Sequence, residues 1–169
     1  MKINLSIKFG IIAGIINCAA WFGFAKKLGF YTVEVYLYRN FVSLAVLVIG
    51  VFLTVYLTRK KNAGFLEFKK AMQAGIVYSL TLAVVLAIFN YVYYTFITPD
   101  TIEYFLSEAK KAAIAHNVKE SDIPKFLDGE RSNFSSFKLV PPVLFFGLIS
   151  SLLAGAIFSK KNPHSFSAN

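Results

Sequence analysis

The chain has 169 residues, a length that fits one ordinary domain, but 56% are hydrophobic, 17% aromatic and only 16% charged, with a mean hydropathy of +0.58. Soluble domains run at about 45–50% apolar and about 25% charged, so this composition argues against a small water-soluble core. The net charge of +9 would suit a nucleic-acid binder, and the one cysteine, Cys18, excludes an intrachain disulfide framework or a CxxC pair.

Four apolar runs follow one another along the chain. The first is FGIIAGIINCAAWFGFA, 9–25. Lys2 and Lys8 precede it and Ala19–Ala20 imitate a cleavage site. The run nevertheless continues through Trp21, Phe22 and Phe24 to Lys26–Lys27, the pattern of a retained anchor. The second is FVSLAVLVIGVFLTVYL, 41–57, extended backward through Tyr36–Tyr38. Arg39 stands at its start, where its long stem lets the charge snorkel to the interface. The third is AGIVYSLTLAVVLAIFNYVYYTFI, 74–97, and the fourth LVPPVLFFGLISSLLAGAIF, 139–158. None contains an acidic residue. A helix crosses about 30 Å of hydrocarbon with roughly 17–25 such residues. The expected fold is therefore an all-α integral membrane protein, one domain over 1–169. Its transmembrane helices fall at about 7–25, 36–57, 74–97 and 139–158.

The connections differ in character. The stretch TRKKNAGFLEFKKAMQAG, 58–75, carries Arg59, Lys60, Lys61, Lys69 and Lys70 against the single acid Glu67. With four spans it shares a side with Lys2, Lys8, Lys160 and Lys161. Short loops rich in Lys and Arg stay cytoplasmic, so both termini are expected inside. The same cations attract anionic lipid headgroups, by about 1 kcal/mol each near the surface. A loop this short, with Phe65 and Phe68 placed to dip into the interface, is no nucleic-acid reader.

The polar insert 98–138 is then extracytoplasmic, with seven acidic and six basic residues. It opens with Thr98 as a helix cap, Pro99 at the first helical position and Asp100 and Glu103 on the N-terminal dipole. Ile102, Phe105 and Leu106 share a face with Ala109 and Ala113, giving an amphipathic helix that presents a partner surface or folds back as a connector. Ser121 is expected to cap a second helix that stops near Gly129.

Few residues carry chemistry. Asn17 and Asn90 lie near midspan and are expected to make intramembrane polar contacts, as packing glue or along a substrate path. Gly10, Gly14, Gly147, Ser151 and Gly155 recur at spacings of four and let helices approach closely. His116 and His164 are isolated. No HExxH, Walker or GxSxG motif appears. We therefore expect no enzyme, no metal and no cofactor. The expected function is a non-enzymatic accessory or scaffold subunit of a larger membrane complex. The alternative is a small transporter, channel or lipid-handling protein acting as a homo-oligomer. Membrane lipids and other membrane subunits are the expected partners.

Two local patterns carry a family likeness: G-F-x-x-F-K-x-A-x-x-x-G from Gly64 to Gly75, and Y-Y-x-F-x-x-P-D from Tyr93 to Asp100. With the charged helical insert and a last span ending in SKK, the chain resembles a family of small bacterial four-span inner-membrane proteins of unknown function, DUF 4199. The resemblance covers nearly the whole chain and implies a bacterial cytoplasmic membrane. It implies no catalytic residue.

Overall fold

The computed structural model describes residues 4–28 and 33–160. It contains helices α1 (Asn4–Leu28), α2 (Val33–Lys61), α3 (Phe68–Val92), α4 (Asp100–Ala115), α5 (Ile123–Asn133) and α6 (Val140–Phe158). A wider π turn, Tyr93–Ile97, prolongs α3, and 3₁₀ turns at Glu120–Asp122 and Ser136–Leu139 lead into α5 and α6. Four helical stretches are long and apolar enough to cross a membrane: Leu5–Ala25, Asn40–Lys61, Phe68–Ile97 and Phe137–Phe158. The protein is thus an all-α, multi-pass membrane protein. Lys2, Lys161, His164 and the rest of the tail lie outside the described residues, as do the side chains of Tyr36, Tyr38 and Arg39.

The basic stretch is two helix ends and a tight turn, so the third span begins at Phe68 rather than at residue 74. Arg59, Lys60 and Lys61 close α2, where positive charge complements the helix dipole. The chain then reverses through Ala63 (φ 53°) and Gly64 (φ 85°), a left-handed pair at which glycine is the unstrained choice. The Gly64 N–H donates to the Arg59 carbonyl at 3.0 Å, and Arg59 Nε donates to the Gly64 carbonyl at 2.9 Å. Lys69 and Lys70 occupy the first turn of α3, which the dipole disfavours. Glu67 offsets this by accepting from Lys70 at 3.1 Å. Leu66 and Lys160 exchange backbone hydrogen bonds of 2.9 and 2.8 Å, tying the turn to the end of α6.

Helix α3 is the central post. It packs on α1, α2 and α6, while α2 also packs on α1 and α6. Two helices in lipid gain nothing from hiding apolar surface that lipid already covers, so close van der Waals approach must hold them. Small residues provide it on every side of α3. A Cβ added at Gly10 would sit 2.7 Å from Thr81 Cβ, and one at Gly14 would sit 2.8 Å from Val85 Cβ. Gly75 faces Ser151, and Gly147 faces Ser79. On α2, Gly50 receives the ring of Tyr78, whose hydroxyl donates across to the Val46 carbonyl at 2.9 Å. The seam hydroxyls of Ser79, Thr81 and Ser151 donate to their own helix carbonyls at 2.6–2.9 Å and so are satisfied without a partner on the neighbouring helix.

At the opposite end the chain departs from expectation in three local details. The Thr98 hydroxyl does not cap α4. It turns back to the Tyr93 carbonyl at 3.4 Å, because the π turn leaves that oxygen open to both the Thr98 N–H and its side chain. Ser121 falls inside a 3₁₀ turn and α5 begins at Ile123, with proline in its first turn. Helix α5 also runs through Gly129 to Asn133. Its last turn carries Arg131, paired with Glu103 of α4 at 2.9 Å.

The seam account predicts that Gly14→Ala lowers the thermal midpoint in mild detergent, by overpacking worth about 1–3 kcal/mol. Gly23→Ala, at a position with no neighbour within 4 Å, should leave the midpoint unchanged or raise it. Equal midpoints for the two variants would contradict the packing described.

Candidate functional site

The four spanning helices do not fill the space between them at the insert end. A cavity of about 480 Å³ lies there, within the usual range for small-molecule sites. Its lining divides by exposure. Asn17, Cys18 and Trp21 of α1 and Leu86, Phe89 and Asn90 of α3 are buried or half-buried and form the back wall. Asn40 and Leu44 of α2, Lys138 of the 3₁₀ turn before α6, and Pro142 and Phe146 of α6 keep exposed surface. The exposed lining, and with it the cavity's mouth, thus lies on α2 and on the segment entering α6, from Asn40 and Lys138 at the insert-side span ends to Leu44 and Phe146 within the spans. On the basic side of this mouth the same two helices close on each other, with Phe52 and Tyr56 rings 6.1 and 5.8 Å from Phe158.

Local structure explains the opening. The Tyr78–Val46 bond and the Gly50 contact hold α2 against α3 up to about the middle of the bundle. Beyond that point α2 is held to α1 instead, where Asn17 Nδ2 donates to Ser43 Oγ at 2.9 Å. Two prolines in the first turn of α6, preceded by a 3₁₀ turn, set the other side of the mouth.

Two polar side chains stand deep in the wall. Asn17 is 1% exposed and satisfied by Ser43. Asn90 is 3% exposed, and its N–H reaches only the Phe134 carbonyl, at a long 3.5 Å. Its Oδ1 has no partner among the described residues. An unpaired amide oxygen is costly where no water can reach it, and Asn90 Oδ1 is closed to water in this fold. At the rim, Lys138 bonds Ser132 Oγ at 2.6 Å and supplies the one charged group of the lining.

An aromatic cluster roofs this end. Trp21 stacks on Tyr93 at 4.2 Å and meets Phe89 edge-on at 5.1 Å. Tyr94 meets Phe134 edge-on at 5.4 Å, and Phe134 in turn meets Phe105 at 5.7 Å. The insert is thereby fastened to the bundle. Ile102, expected to present a partner surface, packs against this cluster. Phe105 joins it through Phe134, and Leu106 is buried. The apolar face of α4 is thus turned inward.

The other residues singled out from sequence fall elsewhere. Arg59, Lys60, Lys61, Lys69 and Lys70 gather at the basic end, away from the cavity. Gly10, Gly14, Gly147, Ser151 and Gly155 lie in seams within the one bundle. Only Asn17 and Asn90 meet at the cavity. Sequence reasoning missed Trp21, Asn40, Ser43 and Lys138 as lining residues. A faint signal existed: counted at 1.5 Å per residue from the insert-side ends of their spans, Asn17 and Asn90 sit at a common depth of about 10–12 Å. Among the described residues no group of three or more His, Cys, Asp and Glu side chains is placed to hold a metal ion.

No curated protein and no solved structure matches the chain. One family does, described as a protein of unknown function (DUF4199), over residues 8–160. With nearly the full length matched, this four-span membrane protein belongs to the DUF4199 family.

Proposed function

We propose that the protein is a non-enzymatic, lipid-handling component of a bacterial cytoplasmic membrane, and that it holds a membrane amphiphile in the interhelical cavity. The observation that carries this reading is the exposed apolar lining that the cavity has on α2 and α6 within the spans. The exposed lining continues from Asn40 and Lys138 at the span ends to Leu44 on one membrane helix and Phe146 on the other, which supports entry of a molecule that sits across the membrane interface. Its walls are apolar around a few fixed polar groups, the usual build of a small-molecule site.

The basic end is the cytoplasmic one in this reading. Lys8, Arg59, Lys60, Lys61, Lys69, Lys70 and Lys160 all belong to it, opposed by Glu67, and translocating such loops is disfavoured. The cavity then faces the outer leaflet. Membrane-impermeant thiol labelling of intact cells should modify Asn117→Cys and spare Asn62→Cys, each in a Cys18→Ala background. The opposite pattern would reverse the orientation.

An accessory or scaffold role within a larger complex is the second reading. What supports it is the rigid bundle, whose outer surfaces on α1 and α6 present large apolar side chains such as Ile12, Ile15, Phe145 and Leu153. Purification in mild detergent should then recover a stoichiometric partner, and a bare monomer or homo-oligomer would remove this role.

Trp21 is the only tryptophan in the chain and lines the cavity, so it reports on occupancy. Lipids carrying a nitroxide near the glycerol backbone should quench its fluorescence. The double variant Leu44→Phe/Val143→Phe, which fills the mouth, should protect it. Quenching that is the same in both proteins would show that lipid never enters.

A further inference from the structure

We propose a second site, separate from the cavity, on the outer face of the α2–α6 contact. It binds one anionic phospholipid of the leaflet on the basic side, with an acyl chain in a groove and the phosphate by Lys60.

The groove is the first observation. Where Phe52 and Tyr56 meet Phe158, the outer side of the contact is a hollow of about 430 Å³ lined by Val48, Ile49, Phe52, Leu53, Tyr56 and Phe158. Every lining side chain presents hydrocarbon or an aromatic ring, and Ile49, Leu53 and Tyr56 keep exposed surface. The span Asn40–Lys61 has its middle near Gly50, so the hollow runs from mid-span toward the basic end. At 1.5 Å per residue, Val48 to Tyr56 covers about 12 Å. One leaflet of a 30 Å hydrocarbon core is about 15 Å deep. An acyl chain of that leaflet matches the hollow in length and in chemistry, whereas a partner helix crossing the membrane would meet it over half its own length.

The second observation is charge. Ile49, Leu53, Tyr56 and Lys60 follow one another at i, i+4, i+7 and i+11, one face of α2. Lys60 therefore stands one turn past the end of the hollow, about 6 Å nearer the water, and its flexible stem carries the ammonium to headgroup level. Lys160 follows Phe158 by two residues and is held there by its backbone pairing with Leu66, its ammonium 5.7 Å from the Phe65 ring centroid. Neither lysine meets a carboxylate among the described residues, since Glu67, the acid of this end, is engaged by Lys70. A zwitterionic head brings its own cation against these lysines. A phosphodiester with no cation of its own supplies the missing counter-charge. Groove and charge thus lie in the order of a phospholipid, chain toward mid-span and phosphate at the end.

The test is lipid retention by the full chain in mild detergent, read by native mass, with phosphatidylglycerol and phosphatidylcholine of identical chains in competition. It is run in the Leu44→Phe/Val143→Phe background, so that occupancy of the cavity does not contribute and the cavity reading stands whatever the result. One phosphatidylglycerol should be retained over phosphatidylcholine by about fivefold for each lysine engaged, the size of one cation's attraction near a membrane surface. Lys60→Gln should lower the preference by about that factor. Lys8→Gln, at the same end but on α1 and outside the hollow, should leave it unchanged. Ile49→Trp/Leu53→Trp fills the hollow from exposed positions and should release the lipid. No retained lipid, equal retention of the two lipids, or retention that survives the tryptophan pair would overturn the site. Equal losses in Lys60→Gln and Lys8→Gln would also overturn it, in favour of a diffuse surface attraction. A dimer that carries no lipid and is split by the tryptophan pair would give this face to a second copy of the chain instead.

Discussion

The close approach of helix α3 to its three neighbours is the interaction on which the rest of the molecule depends. Lipid tails are as apolar as leucine, so nothing resembling the hydrophobic effect drives these helices together once inserted. What remains is contact area at short range and a few buried hydrogen bonds. Gly10 and Gly14 admit Thr81 and Val85, Gly75 admits Ser151, Gly147 admits Ser79, and Gly50 admits the ring of Tyr78. Each pair sets an interhelical distance, and together they fix α3 against α1, α2 and α6.

Such seams are local, and their positions shape the cavity. Those between α2 and α3 centre on Gly50, near the middle of the span, and reach Val46. Past that level α2 is bonded to α1 through Asn17 and Ser43. The mouth between α2 and α6 follows from this change of partner. The aromatic roof built by Trp21, Tyr93, Tyr94, Phe134 and Phe105 then joins the short helices of the insert to the same end. Asn90, whose amide touches the roof carbonyl and lines the cavity, is the residue common to both.

Much of the scaffold was legible in the sequence because apolar run length is a direct consequence of bilayer thickness. The early start of α3 was not. It depends on Gly64 at φ 85° and on a backbone pairing between Leu66 and Lys160, residues far apart in the chain. Periodicity showed that Ile102, Phe105 and Leu106 share a face, but it does not say what covers a face. Here Phe134 and the bundle end do. Asn17 and Asn90 were visible as polar residues in apolar runs, and Ser43 and Lys138 were not. A serine in a helix bonds to its own backbone more often than across, and a lysine at a span end is ordinary snorkelling chemistry. Their shared cavity is a property of helix order and rotation, which hydropathy does not carry.

If α2 and α6 touch at the basic end and part at the insert end, the bundle is open to lipid along one side. Nitroxide pairs measure this directly in a bilayer, in a Cys18→Ala background. One pair replaces Leu44 and Phe146 at the mouth, and the other replaces Phe52 and Phe158 at the closed end. A longer and broader distance distribution is expected for the mouth pair, shifted further when a cavity-filling lipid is added. Equal, narrow distributions for the two pairs would mean that the helices close along their whole length, and the cavity would not be a lipid site.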